Sequence, residues 1–247
     1  MKKIIIMTVC TFLYLSSLFS QDFKEILTRV DDQQRFDNTD LSFMITLVAT
    51  KPGEEDKVLQ VQLYQRAKED KVAYIILKPE ISRGTGYLQI GDNLWIYDPE
   101  SRKFSHSSFK ENFQDTNAKN SDMKPISLAE DYSIKQAEGG KLGNYDVWIL
   151  ELTAVNDEVP VPVQKVWITK DNYLTLKTEE YSLSGRLTRT VFCPHYARIG
   201  KRYIADKILI VDNLNKGEKT QLTLSALSLA DLPDHYFTKA FLEEVNR

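Results

Sequence analysis

The stretch LSFMITLVATKPGEEDKVLQVQLYQRAKEDKVAYIILK, residues 41–78, contains three runs that are rich in β-branched and aromatic residues. The runs at 41–50, 57–67 and 71–78 are separated by segments that contain Lys-Pro-Gly and Glu-Asp-Lys, which are typical of turns. Such short connections indicate antiparallel strands, because a parallel crossover needs a dozen or more residues. The stretch therefore predicts two successive antiparallel hairpins.

The same pattern continues along the chain, with short turns between further strand-like runs. These runs lie at 86–90, 93–98, 145–155, 161–170, 173–183, 186–193, 203–212 and 219–229. Strands do not alternate with helices, which argues against a parallel nucleotide-binding sheet. Apolar residues recur at helical spacing at 21–36 and 234–245. We therefore expect a mainly β protein, a curved and incomplete antiparallel barrel of about eleven strands covered by a few short helices.

One long segment, residues 105–143, interrupts this meander. Its first half is polar and without a period, whereas 126–137 predicts a helix with Ile126, Leu128 and Tyr132 facing inward. A connection of this length inside a compact domain is usually a functional lid or a flexible excursion. We expect a lid helix on a mobile tether.

The N-terminus has the pattern of a secretory signal peptide. Lys2 and Lys3 precede an apolar run that ends just before Gln21, and this run is too short and too interrupted to favour a membrane anchor. Cys10 is a poor site for lipid attachment, because it lies early in the apolar run. The sequence predicts export to the periplasm, with residues 1–20 removed and 21–247 forming a single domain.

Charge and cysteine content limit the classes of function. The formal net charge is −3, and loss of the signal peptide removes two lysines, so no polyanionic partner such as nucleic acid is implied. Cys193 is the one cysteine left in the exported chain, so an intramolecular disulfide is excluded. Burial of a large apolar core must stabilise the fold, and the length of the chain permits such a core.

Segment 83–86, Arg-Gly-Thr-Gly, begins like a phosphate-binding glycine loop. The third glycine position holds Gln89, and a strand follows where a phosphate site needs the N-terminus of a helix. We interpret Gly84 and Gly86 as positions where the backbone turns or approaches another group closely.

Potential catalytic and metal-binding residues are few. The chain has three histidines, none of them at metal-ligand spacing with another histidine or a cysteine: His106, His195 and His235. Cys193 with His195, or Ser107 and Ser108 with His106, are the candidates for a nucleophile and its base, but neither set has the sequence context of a hydrolase. We therefore predict no catalytic residue, no metal and no cofactor, and keep a cysteine or serine hydrolase as an alternative.

Several predicted strands are apolar on both faces, as at 73–77, 147–150 and 208–211. An antiparallel sheet with one solvated face alternates apolar and polar residues instead. Both faces of this part of the sheet must therefore be covered, either by the predicted helices or by a ligand. The sequence leaves these two possibilities open.

The segments RGTGYLQIGDNLWIYDPESRKF and SDMKPISLAEDY, with the signal peptide and the meander, resemble the bacterial outer-membrane lipoprotein-sorting proteins of LolA-like fold. The likeness covers nearly the whole exported chain and is most specific in 84–88 and 91–97. It implies an incomplete barrel closed by helices, whose apolar interior shields acyl chains that cross the periplasm. It also implies an inner-membrane transporter as donor and an outer-membrane acceptor.

The chain departs from this family after the tryptophan strand. Members often have a compact motif there, whereas Ser108-Phe109 and Ser121-Asp122-Met123 are separated here by polar residues. Because of this difference, the sequence does not identify the cargo. It leaves a lipoprotein, a free lipid and another apolar molecule as alternatives. A module that docks a protein without enclosing a ligand is the other alternative.

If the amphipathic segments cap a concave sheet, their inward residues should contact the cargo. On this hypothesis the lipid-binding residues are Leu47, Leu63, Ile76, Trp95, Tyr97, Trp148, Leu150 and Trp167 from the sheet and Ile126, Leu128 and Tyr132 from the lid. The face of each strand is an assumption, because a one-residue shift in register reverses it.

Overall fold

The computed structural model describes residues 23–36, 39–124 and 127–245. Their main feature is one antiparallel sheet of thirteen strands. The strands are β1 (Leu41–Thr50), β2 (Lys57–Arg66), β3 (Lys71–Lys78), β4 (Gly86–Ile90), β5 (Asn93–Asp98), β6 (Lys103–Ser107), β7 (Tyr132–Leu142), β8 (Tyr145–Ala154), β9 (Val163–Thr169), β10 (Thr175–Tyr181), β11 (Leu187–Ile199), β12 (Arg202–Asp212) and β13 (Lys219–Ser228). The helices are α1 (23–34), α2 (Leu128–Asp131) and α3 (Lys239–Glu244).

The sheet consists of two meanders joined side by side. Strands β1 to β6 and strands β7 to β13 each pair with their chain neighbours, and β1 pairs with β13 between the two sets. The sheet is open and curved, with β6 and β7 at its edges. The predicted fold class, a mainly β and incomplete antiparallel barrel, is confirmed.

The alternation of residues in β1 defines the concave face. Buried and half-buried residues alternate along the strand, and Phe43, Ile45 and Leu47 belong to the buried set. Ile45 lies opposite Leu224 of β13 and Leu47 lies opposite Leu222. Such cross-strand apolar pairs stabilise the sheet and fix its register.

The helices cover opposite faces of the sheet. Leu27 and Val30 of α1 pack with Leu150 and Val166 on the concave side of β8 and β9. The C-terminal segment with α3 packs on the convex side of β3 to β5, where Leu242 is fully buried. No helix of the described ranges is long and apolar enough to cross a membrane.

Two strands and one helix differ from the sequence-based expectation. Strands β6 and β7 were not predicted, and the helix expected over 126–137 is reduced to α2, after which β7 begins. Both strands are edges with few buried residues, so their sequences lack a strong apolar alternation. The predicted signal peptide, residues 1–20, lies outside the described residues.

The polar segment after β6, residues 109–124, folds into the concave side of the sheet, and we call it the plug segment. Phe113, Ala118 and Met123 are buried there and belong to the same apolar cluster as Leu47 and Leu222. The sequence predicted a mobile tether here because the three apolar side chains are widely spaced among polar residues. The plug segment fills much of the concave face that the helices leave uncovered.

Candidate functional site

Between the plug segment and the sheet lies a cavity of about 400 Å³, which we call the main cavity. Its apolar wall is formed by Val166, Val191, Ile208, Ile210 and Leu222. Its lining also includes Asp92, Asn156 and Glu158, which are exposed. The cavity therefore reaches solvent between the β4–β5 turn and the β8–β9 loop.

A second cavity of about 140 Å³ adjoins the main cavity. Ala205, Ile208 and Leu222 line both cavities, as do Gln34, Asp122 and Lys124. The rest of the second cavity is largely apolar, with Phe36, Leu41, Phe43, Ile45, Leu63, Met123 and Leu224 among its lining residues. Because they share lining residues, the two cavities lie next to each other on the concave face.

A buried ion-pair network holds the plug segment against the wall of the main cavity. The Arg189 guanidinium of β11 donates to both carboxylate oxygens of Asp122, at 2.7 and 2.8 Å, and also to Glu180 of β10. Lys119 Nζ donates to the other Glu180 oxygen at 2.9 Å. Burial opposes ionisation of Asp122, but the neighbouring Arg189 charge holds its pKa below the ordinary value. Arg189 and Glu180 are buried, whereas the side chains of Asp122 and Lys119 are partly exposed, so two cations and two carboxylates balance one another at the wall of the cavity.

A second anchor lies near the tip of the plug segment. The Asn117 backbone N–H donates to Thr220 Oγ1 at 3.0 Å, and Thr220 Oγ1 donates to Asn117 Oδ1 at 3.1 Å. Thr220 is fully buried in β13. Buried polar groups are normally hydrogen-bonded, so these bonds favour one position of the tip.

An aromatic group supports the side of the plug segment that faces β3 and β4. The rings of Tyr74 and Tyr87 stack with centroids 4.6 Å apart, and the Phe113 ring lies 5.2 Å from that of Tyr87. Gln114 Nε2 donates to the Tyr87 hydroxyl at 2.7 Å. This part of the concave face is filled by side chains.

The residues of the alternative hydrolase hypothesis make other contacts in the structure. Cys193 lines the main cavity, and burial raises its pKa to about 11, so its reactive thiolate form is scarce at neutral pH. His195 has its Nδ1 2.5 Å from an oxygen of Asp206, and its side chain is largely exposed. No group of three or more potential metal ligands occurs among the described residues.

The serine candidates are likewise engaged elsewhere. His106 Nε2 accepts a hydrogen bond from Trp95 Nε1 at 3.2 Å. Ser107 Oγ donates to a carboxylate oxygen of Glu111 at 2.8 Å, and Ser108 Oγ accepts from the Lys110 backbone. No hydrogen bond joins a serine to His106 within the described part of the chain.

Most residues proposed from the sequence as lipid contacts lie on the concave face. Leu128 and Tyr132 line the main cavity, and Leu63 lines the second cavity. Leu47 and Ile76 are buried in the core beside them. Two more residues, Trp148 and Leu150, lie under α1.

Three aromatic residues of that set face the other way. Tyr97 is buried beneath the C-terminal segment on the convex face, and Trp95 packs beside it. Trp167 lies between cationic side chains, with Lys177 Nζ 4.3 Å from its ring centroid. The faces assumed for β5 and β9 were wrong. Both strands carry apolar residues on each of their two faces, so the sequence did not show which face points to the concave side. Ile126 lies outside the described residues.

The sequence-based set missed the residues that line both cavities. Ala205, Ile208 and Leu222 belong to β12 and β13, and the run at 208–211 was recognised as apolar on both faces. That run was the sequence feature from which Ile208 could have been predicted. The role of Arg189 could not be predicted from the local sequence, because its partner Asp122 is distant along the chain.

Three solved structures share the fold over nearly the whole chain. A LolA superfamily protein from Nitrosomonas europaea is 24% identical, with 88% of this chain and 97% of that chain covered at a TM-score of 0.78. A DUF1329 family protein from Desulfovibrio piger is 20% identical, with 90% and 98% covered at 0.81. A Vibrio parahaemolyticus domain described as an outer membrane lipoprotein-sorting protein is 22% identical, with 89% and 97% covered at 0.79.

These similarities confirm the predicted LolA-like fold. No curated protein matches the chain significantly. A protein family described as "Uncharacterized protein" matches residues 68–244, which is more than half of the chain. The chain therefore belongs to this family, and its fold is that of a LolA superfamily protein.

Proposed function

We propose that the protein is a non-enzymatic periplasmic carrier that shields the acyl part of a lipid or lipoprotein during transfer towards the outer membrane. The observation that carries this proposal is the pair of adjoining cavities on the concave face. The shared fold of the Vibrio parahaemolyticus domain supports the choice of cargo class. The predicted signal peptide supports the location.

The chemistry of the cavity wall fits an acyl chain. Transfer of apolar groups out of water is favourable by about 0.8 kcal/mol per methylene. Ile208, Ile210 and Leu222 offer a wall with which methylene groups can make close contacts, and carriage requires no reactive group. Leu63, Leu128 and Tyr132 are the residues of the sequence-based set that we propose as direct lipid contacts.

Binding of an apolar fluorescent probe tests this function. The exported chain should bind 1-N-phenylnaphthylamine saturably, and palmitate should displace the probe. Ala205→Phe should weaken binding at least about tenfold, because the new ring fills the space where the two cavities meet. The matched control is Thr223→Phe, at an exposed position of β13 next to Leu222, which should leave binding unchanged.

Two results would contradict the proposal. One is a folded protein without saturable probe binding. The other is equal binding by the Ala205 and Thr223 variants, which would show that the probe binds outside the cavities. Either result would favour a protein-docking module instead.

A further inference from the structure

We infer that the cargo inserts one acyl chain, and that the plug segment sets this limit by occupying the rest of the concave face. This inference rests on the proposed carrier function and narrows its ligand class to single-chain amphiphiles, such as fatty acids or lysophospholipids. Three observations carry it: the volume of the space, the attachment of the plug segment and the distribution of polar groups.

The volume accommodates one chain. A space of about 400 Å³ lies near the lower end of the 300–1,000 Å³ that is typical of sites enclosing one small molecule. The adjoining cavity of about 140 Å³ extends this space past Ala205 and Ile208. A chain that enters the main cavity can therefore continue into the second, and the two modest volumes suit one extended chain better than two chains side by side.

The plug segment takes the volume that further chains would need. Phe113 and Ala118 are fully buried in the core cluster, and Met123 forms part of the wall of the second cavity. Asp122 is fixed by two hydrogen bonds from Arg189, and Asn117 is fixed to Thr220. Withdrawal of the segment would break these bonds and expose the buried Phe113 and Ala118 side chains to water, so the occupied volume is part of the folded core.

Polar groups are distributed as a single amphiphile requires. Asp92, Asn156 and Glu158 are exposed where the cavity meets solvent, so a polar head group can stay hydrated there. Deeper in the cavity, Arg189 and Glu180 neutralise each other. Val166, Val191, Ile210 and Leu222 supply apolar surface beside this pair, so an uncharged chain can lie there at a lower desolvation cost than a second head group.

Two lipids with the same head group and the same type of acyl chain, but with one chain or two, test the inference. Palmitoyl lysophosphatidylcholine should bind with one molecule per protein and displace the fluorescent probe. Dipalmitoyl phosphatidylcholine, which differs by its second chain, should bind at least about tenfold more weakly. Native mass spectrometry gives the number of bound molecules, and probe displacement gives the relative affinities.

Weakening the attachment of the plug segment tests its role. Asp122→Asn removes the negative charge that pairs with Arg189, and it should reduce the discrimination between the two lipids to less than about threefold. Asp171→Asn, at an exposed turn between β9 and β10, is the matched control and should discriminate as the unmodified chain does. Circular dichroism and thermal unfolding identify a variant that has lost its fold, and in that case the comparison of lipids on the unmodified chain decides.

The outcomes separate this inference from the proposed function. Equal affinity for both lipids would overturn the single-chain limit and leave the carrier function standing. Unchanged discrimination in a folded Asp122→Asn protein would overturn the role of the plug segment. Failure of both lipids to bind would also overturn the inference, and if the probe fails as well, the carrier function is lost with it.

Discussion

At the scale of single residues, Arg189 is the most consequential charged side chain of the concave face. Its guanidinium is almost fully buried and binds Asp122 and Glu180, so its removal would leave the buried Glu180 and the partly exposed Asp122 with one cation, Lys119. Loss of one partner of a buried ion pair typically costs about 3–5 kcal/mol. We expect Arg189→Met to lower the free energy of unfolding by about that amount, measured by urea denaturation.

Arg186→Met is the control for this prediction, since Arg186 is exposed in the turn before β11. Its effect should stay within about 0.5 kcal/mol. Equal effects of the two substitutions would show that the buried network does not stabilise the native protein.

Asp40 gives a residue-scale prediction about pH. Arg66 donates to its two carboxylate oxygens at 3.0 and 2.8 Å, and the Leu232 backbone N–H donates at 2.8 Å. Burial opposes ionisation, but these bonds outweigh it and place the pKa of Asp40 below the ordinary value. The stabilisation is therefore complete above the unfolded-state pKa of about 3.9 and is lost as pH falls through the lower folded-state pKa.

Asp40→Asn should therefore be destabilising at pH 7, by about 1–3 kcal/mol. The difference from the unmodified protein should shrink as the pH falls below about 4, because protonation removes the same charge. Urea denaturation at a series of pH values measures both quantities. A difference that stays constant down to pH 2.5 would contradict the assignment.

At the scale of secondary-structure elements, the contact between α3 and β4 is unusually close. A Cβ atom on Gly86 would lie 2.8 Å from Cδ2 of Leu242, closer than side chains tolerate. We expect Gly86→Ala to cost about 1–3 kcal/mol through overpacking. Leu242→Ala should cost about 2–5 kcal/mol, because Leu242 is fully buried.

The double variant separates overpacking from other effects of Gly86. Shortening Leu242 makes room for the new methyl group. The double variant should therefore be destabilised by less than the sum of the two single variants, by at least about 0.5 kcal/mol. Thermal unfolding of the four proteins measures this coupling. Strict additivity would show that α3 does not rest on Gly86 in solution.

The elements that the sequence predicts well are those with a strong apolar period. The bounds of β1, β3, β4 and β5 agree with the runs recognised from the sequence, and β2 differs by one residue. The edge strands β6 and β7 could not be recognised in the same way, because one side of each strand lacks a partner and few of its residues are buried.

The candidate site was predicted only in part, because apolar residues on both faces of a strand do not show which face is inward. Leu128 and Tyr132 were identified, but the sequence placed both on one lid helix, whereas Leu128 lies in the short helix α2 and Tyr132 begins strand β7. The inward face of β5 could not be chosen, since Leu94 and Ile96 compete with Trp95 and Tyr97 for the core. Long-range ionic contacts such as that of Arg189 with Asp122 have no local signature.

At the scale of the whole molecule, the thirteen strands differ in their number of partners. Strands β1 and β13 lie at the centre of the sheet, whereas β6 and β7 each pair on one side. Local opening requires less free energy where fewer hydrogen bonds and buried contacts must be lost. In hydrogen–deuterium exchange followed by mass spectrometry, we expect β6 and β7 to exchange fastest and β1 and β13 slowest. Protection of β7 equal to that of β1 would reveal another chain paired along its edge.

The pairing of β1 with β13 has a consequence for how the chain folds. Among the described strands, every other pair joins chain neighbours, so only this seam closes a long loop of chain. During synthesis the first meander can form early, but the apolar edge of β1 has no partner until β13 emerges near the C-terminus. An unpaired edge of this kind readily joins other chains. Premature termination before residue 219 should thus yield an aggregating product, even though all of the first meander is present.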